Sequence, residues 1–563
     1  MACLFVICAA CARSPSRGTD EAGPRSTSPE PQRTLVIAIR VEPPALTTKV
    51  LQAAGNLTLD ATRGLFNANL VLIDGGGTPR PELAEELPTL RTESWRVDAD
   101  GRMETTYRLR PNLTWHDGAP LSAQDFAFAW RVYASPELGV AASPPVSLMD
   151  EVRAPDDRTV VIAWSRAYAE AGLLGTSFPA LPRHLLESAY ENRTPGGESF
   201  VTHPFWTTGY VGLGPYRVQR WEPGTSIDGE AFPGFAFGKP SISRVQLLFI
   251  NDPNTVVANI LSGAAQLTFD DAIRFEQGAV LRREWAAGGP GVVIHYPQQV
   301  RYTEVQLKPD LVQPAALLDV RVRRALAHSV NKQELIDGLL DGVGSPADTI
   351  ISPQVQYFDA LNRAIVKYPF DLREADRLLT EAGFARRADG YYVGPDGERL
   401  APELRVRASA HNQSEMAIMA DGWNRAGIAV SSYVIPAAQA LDSAVLATFP
   451  ALSTTSRPAQ ESQLVNLTTR QIPSAENHWS GSNRGGWSNP EYDRLADAFT
   501  ATLDQAERNG QVIQMMRLFS EDVPGLFLYY NEQIVAHAAA LTGPAPIATT
   551  SIFTWNVAEW QWR

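Results

Sequence analysis

Cysteine is scarce in this chain. The three residues present, Cys3, Cys8 and Cys11, all fall in the first eleven of 563 positions. Nothing downstream can form a disulfide or a thiolate metal site. The eight histidines are scattered and include no His-Glu-x-x-His pair, which argues against a built-in zinc centre. A Gly-x-Ser-x-Gly nucleophile elbow is also missing, since Leu261-Ser-Gly263 lacks the leading glycine and looks instead like a helix end capped by Gly263. Glu85-Glu86 and Asp270-Asp271 are adjacent in sequence, and neighbouring side chains do not face one another, so spacing excludes them as acid/base pairs. The glycines after Asp74 have neither phosphate-loop spacing nor a Lys-Ser/Thr, so Leu70 to Gly77 is predicted to be a strand and a hairpin turn. Basic excess is absent too. With 49 Lys and Arg against 62 Asp and Glu, a net charge of -13 and no basic run, a nucleic-acid partner is excluded. The apolar stretch Ala2 to Ala12 is far shorter than the ~20 residues a bilayer span needs.

What is present fits a globular chain of two or three domains, with 44% hydrophobic and 20% charged residues. The leader Leu4-Phe-Val-Ile-Cys-Ala-Ala-Cys11 resembles a bacterial lipoprotein signal, with small residues before a cysteine that becomes the lipidated N-terminus. Two features depart from that pattern: Cys8 stands where leucine is usual, and no Lys or Arg precedes the apolar run. Residues 12–33, rich in Ser, Pro, Gly, Thr and charge, are expected to form a flexible tether. The folded part is predicted to begin with the β-branched strand Thr34 to Ile39.

The richest stretch runs from Tyr107 to Tyr133. It predicts a strand ending at Pro111, a short strand around Leu113 to Trp115, a turn at Asp117-Gly118, and a helix N-capped by Ser122 with Asp125 in a capping box. Phe126, Phe128, Ala129, Trp130 and Tyr133 give that helix an aromatic stripe, expected to pack in a mixed α/β subdomain. Further phrases follow in order: Arg80-Pro-Glu-Leu-Ala-Glu-Glu-Leu87, Gly212-Leu-Gly-Pro-Tyr-Arg-Val218, Phe237-Gly-Lys-Pro240, Asp319-Val-Arg-Val-Arg-Arg-Ala-Leu-Ala327, Gly342-Val-Gly-Ser-Pro-Ala347, Asp376 to Gly383, and Gly486-Trp-Ser-Asn-Pro-Glu-Tyr-Asp493 leading into a long helix through Met516. Gly212 and Gly214 are expected where the backbone approaches a neighbour closely. Asp319 is expected to N-cap a helix whose face is Val322, Ala325, Leu326 and Val330.

Taken together, from Thr34 to about Gly543, these phrases resemble the family-5 extracellular solute-binding proteins, the peptide- and nickel-type receptors of bacterial ABC importers. The resemblance implies an α/β, periplasmic-binding-protein-like two-lobe fold (type II/cluster C), with an extra subdomain in the first lobe. The expected divisions are a signal segment 1–11, a tether 12–33, lobe I at 34–59, 183–272 and 523–563, the extra subdomain at 60–182, and lobe II at 273–522. Ligand is expected between the lobes, gripped by loops of both on hinge closure.

Peptide receptors of this family carry an aspartate, in a phrase such as Trp-x-Ala-Asp-Tyr, that pairs with the peptide's α-ammonium. The corresponding stretch here, Phe449 to Ser462, has no aspartate but offers Ser453, Thr454, Thr455, Ser456 and Arg457, with Glu461 as a displaced acid. Hydroxyls beside a guanidinium suit an anionic or polyhydroxylated group. The alternative is a solvent-exposed polar loop. Trp479 is the aromatic candidate for the cavity wall, Trp487 is expected in the core, and Tyr216 and Trp423 are lesser ligand candidates.

The resemblance therefore implies a monomeric, lipid-anchored, extracytoplasmic receptor without cofactor or metal. It would capture a peptide-like or other small solute and pass it to a permease with its ATPase subunits, and would not be an enzyme. A receptor presenting ligand to a signalling partner, or a secreted hydrolase, is the alternative.

Overall fold

The computed structural model describes residues 33–50, 59–138, 144–286, 288–440, 442–477 and 479–563. The leader with Cys11, and the tether up to residue 32, lie outside the described residues. Strand β1 (Thr34–Ile39) forms where its β-branched run predicts it. A short helix, α1 (Asp60–Phe66), leads to the extra subdomain, whose own antiparallel sheet contains β2 (Trp95–Val97), β3 (Met103–Arg108), β4 (Met149–Asp156) and β5 (Thr159–Trp164) in the order β2-β3-β5-β4. Helix α2 (Ala123–Tyr133) packs on β4 and β5, and its buried rings meet other elements, Phe126 and Tyr133 against Phe178 and Phe128 against Tyr190. Its start is capped as expected: Asp125 Oδ2 accepts the Ser122 N–H at 2.9 Å. The strand expected at Leu113 to Trp115 reduces to a single bridge between Thr114 and Pro120, because Gly118, at φ +90°, turns the chain at once.

The chain then supplies β6 (Tyr216–Glu222), β7 (Ser226–Ala231), β8 (Arg244–Phe249), α3 (Pro253–Leu261), β9 (Leu267–Thr268), α4 (Phe275–Trp285) and the long β10 (Gly291–Val305). The second lobe adds α5 (Val320–His328), β11 (Glu403–Arg407), α6 (Ala410–Ala426), β12 (Ser431–Ile435), β13 (Leu452–Pro458), α7 (Pro490–Ala501) and α8 (Gln505–Asp522), before β14 (Gly525–Ala538) returns to the first. Ten strands join in one sheet, in the order β12-β11-β13-β10-β14-β9-β1-β8-β7-β6. The antiparallel pair β10 and β14 sits in its middle and passes from lobe to lobe, with register slips at Pro297/Gln299 and Val300/Tyr302.

Packing shows where each lobe ends. The first lobe's cores take in Leu35, Phe66, Leu281, Ile294, Tyr296 and Val535, whereas the second lobe's take in Val300, Val305, Trp423, Leu452, Phe527 and Leu528. The crossing thus falls within β10 and β14, later than the boundaries expected at 272/273 and 522/523. A strand shared by two cores carries no Pro/Gly linker to mark the division.

Two further details bear on the sequence. A Cβ on Gly214 would stand 2.4 Å from the Asn67 nitrogen, so the Gly-x-Gly phrase is the close approach it suggested. The long helix expected through Met516 is instead two helices, because Asp504 accepts the Glu507 N–H and starts α8 afresh. Leu503, at the break, packs against the first lobe's core.

Candidate functional site

The strand directions locate the site. β1 runs parallel to β8 and β9, and β11 runs parallel to β12 and β13. Because β9 is antiparallel to β14 and β13 is antiparallel to β10, the C-terminal ends of both parallel sets point at the crossing from opposite sides. Open α/β sheets bind ligands at such strand ends. The two lobes also face one another across a cleft of ≈ 910 Å³, bounded by Leu90, Arg96 and Asp98 of the subdomain and by Leu503, Asp504 and Glu507 of the second lobe. Gln354 Nε2 bridges to Ile547 O at 3.1 Å across the same divide.

On the first lobe, Thr47, Thr48, Arg63, Asn67 and Asn69 line a small polar pocket of ≈ 20 Å³ beyond the end of β1. Two buried atoms here lack partners, Arg63 Nε and Asn69 Oδ1. Behind it, Glu82 Oε2 accepts the Asn69 N–H at 2.7 Å. Burial pushes the Glu82 carboxyl up to about 8. Asp270 follows β9 with φ +51° and accepts both the Thr62 N–H, at 2.9 Å, and the Thr62 hydroxyl, at 2.6 Å. Burial raises its carboxyl to about 7.

On the second lobe the polar run of β13 divides between two faces, as alternation requires. Ser456 turns to the α6 side, where its hydroxyl accepts from Arg301 Nη1 at 2.9 Å. Arg301 is held by Glu415, which also accepts the Tyr529 hydroxyl at 2.7 Å. Arg457 turns to the other face, with Nη2 2.5 Å from Glu304 Oε1 and 2.6 Å from Ser482 O, and with its guanidinium over the Tyr302 ring. Thr455 lies beside Tyr302 in the register and is half-buried. Burial and the neighbouring Arg484 lower the Arg407 guanidinium from its ordinary value.

The remaining candidates disperse. Glu461 accepts the Tyr357 hydroxyl at 2.6 Å and stands 3.9 Å from Arg508. Trp479 is half-buried, holds φ +59°, and has the Lys308 ammonium 5.9 Å from its ring. Tyr216 and Trp423 are each 0% exposed, and Trp423 Nε1 donates to Leu326 O at 3.1 Å, so both are core residues rather than cavity walls. Trp487 is core as expected, edge-on to Tyr492 and Phe519. Glu304, Arg407 and Arg484 were missed. The alternation Leu404-Arg-Val-Arg407 is a signal that would have put both arginines on one strand face, whereas nothing in the sequence marks the buried Glu304. Among the described residues no group of three or more His, Cys, Asp or Glu is placed to hold a metal ion, and no helix is long and apolar enough to cross a membrane.

Comparison with known proteins gives a consistent picture. Residues 79–460 match the family described as bacterial extracellular solute-binding proteins, family 5 Middle. A Brucella ovis protein, whose name assigns it to ABC-transporter peptide binding, is 25% identical over 296 residues, 52% of this chain and 51% of that one. The chain thus matches about half the length of that relative. The glutathione-binding protein GsiB of Pectobacterium atrosepticum is 24% identical over 81% of this chain and 83% of its own. Among solved structures, NikA from Brucella suis, in complex with Fe(III)-EDTA, shares the fold with TM-score 0.75 at 18% identity, covering 94% of this chain and 100% of that one. The oligopeptide binding protein from Thermus thermophilus, complexed with a pentapeptide, does so with TM-score 0.69 at 24% identity over 94% and 96% of the two chains.

Proposed function

Because the chain belongs to the bacterial extracellular solute-binding proteins of family 5, we propose that it is the extracytoplasmic receptor of an ABC importer, taking a peptide-like or other small solute between its lobes and passing it on unchanged. The observation that carries this reading is the convergence of the parallel strand ends of both lobes on the crossing of β10 and β14. A ligand seated there contacts both lobes at once, so binding favours closure. Relatives named for peptide and glutathione binding support the solute class. The lipoprotein-like leader supports an anchor at Cys11, leaving residues 12–33 to tether a monomeric receptor beside its permease.

Within the site, Thr455 and Trp479 are assigned to the solute, with a hydroxyl and an aromatic wall. Arg457 is assigned to position Glu304, and Glu461 to brace Tyr357. The test is purification of the full chain from gently solubilised membranes. Permease and ATPase subunits are expected to accompany it, and added solute is expected back unaltered. A signalling protein in their place, or a converted solute, would overturn the assignment.

A further inference from the structure

The receptor reading leaves the chemistry of the grip unstated, and the inference here rests on that reading. β11 and β13 pair in parallel with Arg405 beside Ser453. Two residues on along each strand the side chains return to the same face, which aligns Arg407 with Thr455 and leaves Arg457 next along β13. Backbone bonds bring Arg484 to the same place: Ser482 O accepts from Arg457 Nη2 at 2.6 Å, and Gly485 O accepts the Leu307 N–H at 2.7 Å. Gly485 lies so close to β10 that a Cβ there would meet Val305 O at 2.4 Å, so the loop carrying Arg484 is clamped on both sides.

Charge is unbalanced at this point. Arg457 is neutralised by Glu304, but among the described residues neither Arg407 nor Arg484 has an ion-pair partner or a side-chain hydrogen bond, and both are half-buried. Two guanidiniums held together away from bulk water repel each other unless an anion joins them. One donor here is also unpartnered, Arg457 Nε, on a residue only 7% exposed. We propose that Arg407 and Arg484 form an anchor for an anionic group of the solute, a carboxylate or a phosphoryl group, seated where β11 and β13 end and next to the Thr455 hydroxyl. A pair of planar forks matches either group by bidentate hydrogen bonds. Specificity then comes from an anion in the second lobe, with no aspartate on β13 to receive an ammonium.

Titration calorimetry of the full chain with succinate, and separately with inorganic phosphate, tests the anchor and separates its two sources. At least one of these anions is expected to bind saturably, and the double variant Arg407→Gln/Arg484→Gln is expected to weaken it at least tenfold. Arg407→Lys, which keeps the charge and loses the fork, is expected to fall between. Arg405→Gln, removing an arginine already paired with Glu403, is expected to change binding less than twofold. No binding of either anion to the natural chain, or binding by the double variant within twofold of it, would overturn the anchor. If the double variant keeps its co-purified solute and its anion affinity, the anchor fails and the receptor stands; if the natural chain retains no solute at all, the receptor reading fails.

Discussion

Arg457 and Glu304, 153 residues apart in sequence, are joined by an Nη2 to Oε1 contact of 2.5 Å, with both side chains nearly excluded from water. A cation with no acidic neighbour in its own strand is thereby committed within the fold. Arg457→Ala leaves the Glu304 carboxylate buried and unpaired, and a loss of about 3–5 kcal/mol is expected on urea denaturation. Replacing both partners by apolar residues, Arg457→Met with Glu304→Leu, is expected to recover most of that loss.

Glu82 makes stability depend on pH. Its carboxyl is raised to about 8 from 4.5, so between these values the unfolded chain has released a proton that the folded chain still holds. Stability from this group is full below 4.5, falls as pH rises, and levels off above about 8. Glu82→Gln keeps an acceptor for the Asn69 N–H. It is expected to flatten the slope and to be about 1–3 kcal/mol more stable than the natural chain at pH 8, as measured by urea unfolding across the pH series.

Gly214 admits no side chain. With Phe66 C and Asn67 N both 2.4 Å from where a Cβ would stand, Gly214→Ala must push backbone apart, at an expected cost of about 2 kcal/mol or more in denaturation midpoints.

The two tryptophans singled out in the sequence separate by experiment. Trp423→Ala is expected to cost about 3–5 kcal/mol of stability, as a large core truncation does. Trp479→Ala, at a half-buried loop position, is expected to cost under about 0.5 kcal/mol while weakening solute retention about tenfold, or about 1.4 kcal/mol.

Leu503 reaches from the second lobe to the first lobe's core, so its truncation acts on closure. Leu503→Ala is expected to lower solute affinity about fivefold by favouring the open form. Small-angle scattering should then show a larger radius for the solute-loaded variant than for the loaded natural chain.

Much of the fold was legible because local chemistry and tertiary placement agree. Ser122 and Asp125 cap where they should, Asp319 accepts the Arg321 N–H, and the two glycines of Gly212-Leu-Gly214 sit against Phe66 and Asn67. The site was less legible. The hydroxyl run of β13 lies at the expected place, but which face each residue takes depends on pairing with β10. Ser456 therefore meets Arg301 on the α6 side. Arg457 is neutralised by a residue on the neighbouring strand, and Trp423 is covered by helices far away in sequence. The break at Asp504 is local and was readable: an Asp three residues before Glu507 is a cap signal inside an otherwise helical run.

A receptor that passes its solute on unchanged should be found holding it intact. The chain from residue 34 onward, purified without denaturation and extracted with acid, should yield a small molecule by mass spectrometry, near one equivalent and bearing a carboxylate or phosphoryl group. Recovery of no small molecule after exposure to the native medium, or of cleavage products only, would contradict the account.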